Sequence, residues 1–143
     1  MLQKHILLAE DNEQDMELTL MALKKANLNM AIEVVRDGQE ALEYVFKRGR
    51  FVTRQTGDPI VILLDLKMPR INGLEVLEQI KSDPGAANIP VVMLTSSREE
   101  IDKTKSYSLG VNAYVVKPVD YKKFSDSLKQ LGHFWAHINE VPA

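Results

Sequence analysis

The chain contains no cysteine. Disulfides, thiolate nucleophiles and zinc sites built on cysteine are excluded, and the composition is compatible with a reducing cytoplasm. Nor does one sign of charge dominate: eighteen Lys and Arg stand against twenty Asp and Glu, a formal net charge of −2. That balance leaves no electrostatic footprint for nucleic acid or an anionic membrane, so partners must be chosen by local surface. No apolar run approaches membrane-spanning length. The first, Ile6 to Ala9, is too short for the core of a signal peptide and runs straight into Glu10 and Asp11. There is no internal repeat and no low-complexity tract. What is present is 143 residues, 45% of them hydrophobic, which suits one domain with its own core and is too apolar for general disorder. The expectation is a cytoplasmic single domain over residues 1–143, without an output module.

The stretch Ile60 to Gly73 organises the rest. Five consecutive Ile, Val or Leu residues lead into Asp65, and the chain then turns through Pro69 and Gly73. Such a run suits a strand buried on both faces of a parallel sheet, and ligands bind beyond the carboxyl ends of such strands. By itself Asp65 is equally explained as a turn residue that caps backbone N–H groups. Around it, apolar runs at His5–Ala9, 31–35, 91–94 and 112–116 read as strands. Helical spacing appears in 13–26 (Met16, Leu20, Leu23), 38–48 (Ala41, Leu42, Val45, Phe46) and 74–82 (Val76, Leu77, Ile80). Ser97 and Glu100 have capping-box spacing for a fourth helix running toward Leu109. Asp120 caps a fifth, whose inward stripe is Phe124, Leu128, Leu131 and Trp135. Residues 49–59 are polar and unpatterned, an unusually long connection. Strands alternating with helices predict an α/β fold: a doubly wound, five-stranded parallel sheet of flavodoxin-like type, in order 2-1-3-4-5.

In that fold the strand ends converge on one rim, and four of the five carry chemistry: Glu10 and Asp11, Asp65, Thr95, and Lys117. Three carboxylates together repel unless a cation sits among them. Oxygen ligands alone favour a hard ion, and Mg²⁺ is the natural one. Lys117 and Thr95 supply the charge and hydroxyl that a phosphoryl group on Asp65 needs for its outer oxygens, with Asp65 as the nucleophile.

Those residues, as Ala9-Glu10-Asp11, Leu64-Asp65-Leu66-Lys67-Met68-Pro69, Asn72-Gly73, Leu94-Thr95-Ser96 and Val116-Lys117-Pro118, resemble the receiver domain of two-component response regulators. The similarity runs from Ile6 to about Leu131, with a core of about 4–131 and a C-terminal helix extension and tail at 132–143. It implies that Asp65 accepts phosphate from a sensor histidine kinase. It also implies that Glu10, Asp11, Asp65 and the Lys67 backbone carbonyl serve Mg²⁺, and that Thr95 and Lys117 bind phosphoryl oxygens. Tyr114 matches the aromatic position that switches together with Thr95, altering the surface of the fourth helix, fifth strand and fifth helix. Glu10 stands where many members have Asp, a longer arm that reaches the ion through water. Lys67 places a cation near the path of attacking water, where it alters the lifetime of the phosphoryl group. The long 49–59 loop and the ending Gly132-His133-Phe134-Trp135 resemble single-domain regulators that pair with bacterial phytochrome kinases, some of which form homodimers through the fourth helix, fifth strand and fifth helix. Phe134 or Tyr121 then belongs either to such an interface or to the core cover.

Three other readings make different demands on the same residues. An aspartate-nucleophile phosphatase needs a second Asp two residues after the first, where Lys67 stands. A flavin carrier needs a phosphate cradle after the first strand, where Glu10 and Asp11 repel phosphate. A phosphorylation-independent pseudo-receiver, acting only as a protein-binding module, is the remaining alternative, although all of the acids and the lysine are kept. His5, His133 and His137 are read as surface residues.

Overall fold

Short aliphatic runs separated by amphipathic stretches place strands side by side and cover them with helices on both faces. The computed structural model describes residues 5–25, 31–96 and 99–117. Its strands are β1 (His5–Ala9), β2 (Ala31–Val35), β3 (Val61–Leu64), β4 (Val91–Thr95) and β5 (Ala113–Val116). They form one parallel sheet in the order β2-β1-β3-β4-β5, as expected. The helices are α1 (Glu13–Lys25), α2 (Gly38–Phe46), α3 (Gly73–Ser82) and α4 (Glu100–Ser108), with a short 3₁₀ turn at Gly49–Phe51. Residues of the expected fifth helix lie outside the described ones, as do Ser97, Tyr121, Phe134, His133 and His137.

Alternation along each strand sorts side chains onto two faces. Leu7, Ala9, Ile62, Leu64, Val91 and Met93 pack with Ala41, Leu42, Val45, Val76, Leu77 and Ile80 of α2 and α3. Ile6, Leu8, Val61, Leu63, Val92 and Leu94 pack with Met16, Ala22 and Leu23 of α1. β1, β3 and β4 are buried throughout, whereas Ala31 of β2 is exposed and Ile32, Glu33 and Val34 are half-buried. That difference is why Glu33 is tolerated in β2, at the sheet edge.

Side-chain caps set the helix starts. Asn12, Asp37 and Asn72 accept the amides of Asp15 (2.9 Å), Glu40 (2.8 Å) and Glu75 (3.0 Å), each satisfying one otherwise orphaned donor. α4 begins at Glu100 with Glu99 as its N-cap residue and no side-chain cap bond, later than the start expected at Ser97. α2 stops at Phe46, short of the expected Arg48, because Lys47 turns left-handed (φ 54°) and its amide bonds back to Glu43 and Tyr44.

One expectation fails here. His5 is buried, not on the surface: its Nε2 lies 2.7 Å from the Tyr44 hydroxyl. The 49–59 connection is a long one, as expected, and one side chain orders part of it. Arg54, its side chain 5% exposed, donates from Nε to the Tyr44 carbonyl (3.0 Å) and from Nη1 to those of Thr56 and Gly57 (2.7 Å each). Its guanidinium also lies 4.3 Å over the Tyr44 ring. Two carbonyls of this segment and one of α2 are thus satisfied by a single side chain. Among the described residues, no helix is long and apolar enough to cross a membrane.

Candidate functional site

The sheet's register decides which side chains meet. The Asp65 amide donates to the Ala9 carbonyl and the Glu10 amide to the Val35 carbonyl, both at 3.0 Å. β1 and β3 therefore release Glu10 and Asp65 at the same level of the carboxyl rim. Gly73 keeps the loop after Asp65 tight: its amide reaches the Leu66 carbonyl at 2.7 Å, and a Cβ there would stand 2.3 Å from the Asp65 carbonyl oxygen. On α2, a Cβ at Gly38 would stand 1.8 Å from the Ile71 carbonyl oxygen, so this glycine lets the same loop lie against the helix.

Among the described residues, Glu10, Asp11 and Asp65 bring carboxylate oxygens within 4.8 Å of one another. Glu10 and Asp65 are buried and Asp11 is exposed. Burial foremost, then the charge of Glu10, pushes the Asp65 carboxyl from an ordinary 3.8 up to about 8, against the opposing pull of Lys117. Lys117 Nζ sits 2.7 Å from Glu10 Oε1, 2.9 Å from Asp15 Oδ2 and 4.0 Å from Asp65 Oδ1. Burial works against its charge, but the hydrogen bonds to Glu10 and Asp15 and the charge of Asp65 prevail, holding its pKa above the ordinary lysine value. Glu10 uses both oxygens, since Oε2 accepts the Asn12 amide at 3.2 Å.

Thr95 closes β4 and is fully buried; its carbonyl accepts the Lys117 amide at 2.6 Å, so the two residues flank the acids together. Lys67 follows in the loop after Asp65 with an exposed side chain. Tyr114 lies half-buried in β5, beside Met93 in register, packed on the core shared by α2 and α3. The structure thus brings Glu10, Asp11, Asp65, Thr95 and Lys117 to one rim, as the topology required. The sequence reading missed Asp15, the second anion on Lys117. Its only sequence mark was an acid in the first turn of α1, which a favourable helix dipole explains without a site.

Chemically, the rim offers a crowded set of carboxylate oxygens, one of them on the buried Asp65, with an ammonium within a few ångströms. The family described as response regulator receiver domain matches residues 6–129. The response regulator Rcp1 of Synechocystis sp. is 36% identical over 140 residues, covering 98% of this chain and 94% of its own; its solved Mn²⁺-bound form superposes with a TM-score of 0.84. The bacteriophytochrome response regulator RtBRR is 56% identical, with a TM-score of 0.83 over 99% of this chain and 85% of that one. The phosphorylated cyanobacterial phytochrome response regulator RcpA is 38% identical, with a TM-score of 0.85 and 99% of each chain covered. Matched over most of its length, the chain belongs to the response regulator receiver domain family.

Proposed function

We propose that this receiver takes a phosphoryl group onto Asp65 from a sensor histidine kinase and relays the event through its α4 and β5 surface. The observation that carries the reading is the convergence of Glu10, Asp11 and Asp65 within 4.8 Å, with Lys117 Nζ 4.0 Å from the Asp65 carboxylate. The transfer breaks the bond between phosphorus and the kinase histidine nitrogen and forms one between phosphorus and an Asp65 oxygen, giving an acyl phosphate.

The donor set fits Mg²⁺: among the described residues it is three carboxylates without a nitrogen or sulfur ligand, and the acceptor's pKa is raised by burial first and then by the charge of Glu10. Asp11, Asp65 and the Lys67 carbonyl would hold the ion directly. Glu10, committed to Lys117 and the Asn12 amide, would hold it through water. Bound there, the ion would supply positive charge to keep Asp65 ionised and to offset the charge of the incoming phosphate. Lys117 then donates to one phosphoryl oxygen and Thr95 to another, and movement of Thr95 and Tyr114 passes the change outward. α4 offers exposed Ile101 and Tyr107 as a face for a downstream protein or a second copy. The relatives named for phytochromes support a kinase of that type as the phosphodonor.

Labelling with radioactive acetyl phosphate, with and without Mg²⁺, on the parent and on Asp65→Asn tests the acceptor. Mg²⁺-dependent label that vanishes in the variant is the expected result. A folded parent that takes no label would instead make the chain a phosphorylation-independent binding module.

A further inference from the structure

The distances around Lys117 are unequal in a way that the phosphoacceptor chemistry does not require. An ammonium has three donors, and hydrogen bonds to it end near 3.2 Å. Glu10 and Asp15 lie at 2.7 and 2.9 Å, inside that range, and Asp65 at 4.0 Å, outside it. Resting on the reading above, we propose that Asp15 is a positioning residue of this site. It draws the Lys117 ammonium toward the first turn of α1 and withholds part of its charge from Asp65.

Asp15 is placed for this by a chain of local bonds. Glu10 Oε2 accepts the Asn12 amide, Asn12 Oδ1 accepts the Asp15 amide, and the Asn12 carbonyl accepts the Met16 amide. Glu10 and Asp15 are thereby fixed to the same helix start, one on each side of the ammonium. An acid in this turn also favours the helix dipole, but Glu13 does that without touching Lys117. Contact with the lysine is what distinguishes Asp15. Its side chain is about one-third exposed, at 34%, against 13% for Lys117, so the hold is partly screened by water and can yield when a phosphoryl group competes for the same donor.

Neutralising Asp15 frees one lysine donor for Asp65 and its phosphoryl oxygens, which speeds the reaction. A purely structural role for Asp15 has the opposite sign, because loosening the start of α1 would slow the reaction.

The test compares initial rates of labelling by acetyl phosphate at saturating Mg²⁺. Asp15→Asn, which keeps size and one acceptor oxygen, should label about fivefold faster, the order expected from one partly exposed charge pair. Asp15→Glu should return toward the parent rate, and Glu13→Gln should stay within about twofold of it, as expected for an exposed charge with no ion pair among the described residues. In a Lys117→Gln background the Asp15→Asn effect should disappear. A rate at or below the parent's in folded Asp15→Asn, an equal gain from Glu13→Gln, or a gain that survives without Lys117 would each overturn the proposal. If the parent itself takes no label, the phosphoacceptor reading has failed. The side-chain ¹⁵N resonance of Lys117 in the unphosphorylated protein then decides for Asp15: a shift in Asp15→Asn supports the hold, and an unchanged resonance removes it.

Discussion

Replacing Asp65 by Asn should stabilise the metal-free protein, and the gain should depend on pH. The folded environment raises the Asp65 pKa from 3.8 to about 8, so between those values the folded state holds a proton that the unfolded state releases. Stability contributed at this site therefore falls as pH rises through that window, and the penalty is complete above pH 8. At pH 7 the roughly three pH units above the ordinary value, at about 1.36 kcal/mol each, set a ceiling of about 4 kcal/mol. Water entry and side-chain relaxation reduce the effective penalty to about 1–3 kcal/mol. Asn has nearly the same shape and carries no charge, so it removes this penalty. Urea unfolding in EDTA at pH 4, 5, 6, 7 and 8 should show parent and Asp65→Asn nearly equal at pH 4 and separating by that amount at pH 7. For a domain of this size the gap corresponds to roughly 2–4 °C in Tm per kcal/mol. Adding Mg²⁺ should narrow it, because the parent gains binding free energy at a site from which the variant has lost a ligand. An Asp65→Asn protein no more stable than its parent at pH 7, or a gap that does not change between pH 4 and 8, would refute the electrostatic account of the site.

Other perturbations separate scaffold from chemistry. Gly38→Ala drives a Cβ to 1.8 Å from the Ile71 carbonyl oxygen and should cost about 2–4 kcal/mol in urea unfolding, since neither backbone can withdraw freely. Asn72→Ala removes the cap on the Glu75 amide and should cost about 1 kcal/mol, read the same way. Arg54→Ala releases the carbonyls of Tyr44, Thr56 and Gly57. Thermolysin cleavage beside Phe51 and Val52 should become much faster, while acetyl phosphate labelling stays within about twofold, as expected for a site across the sheet.

Much of this was legible in the chain because two periodicities and a topology rule carry it. The unbroken apolar runs of β1, β3 and β4 declare strands buried on both faces, and Glu33 marks β2 as the edge. Once the strands are parallel, Glu10, Asp65, Thr95 and Lys117 must share a rim, since each follows or closes a strand. Asp15 was not legible, because its partnership with Lys117 spans more than a hundred residues and depends on where α1 starts turning. His5 was misread for a similar reason. One polar residue opening an apolar run gives no hint that Tyr44, on the opposite side of α2 from the solvent, supplies a partner for its ring. The order in 49–59 comes from the 3₁₀ turn at Gly49–Phe51 and from one arginine bonding to main-chain carbonyls, neither of which leaves a repeat for a sequence reading to detect.

That connection joins the end of α2 to the beginning of β3, so it lies at the amino-terminal edge of a sheet whose acids crowd the carboxyl-terminal edge. The strands and the helices that cover them run the full distance between the two edges. Val52, 65% exposed at the outer part of the loop, is therefore a natural attachment point for a fluorophore or an affinity handle: a reporter there would ride on the scaffold without entering the field of Asp65. A biosensor could carry its label on that edge and leave the opposite edge free for phosphodonor and metal.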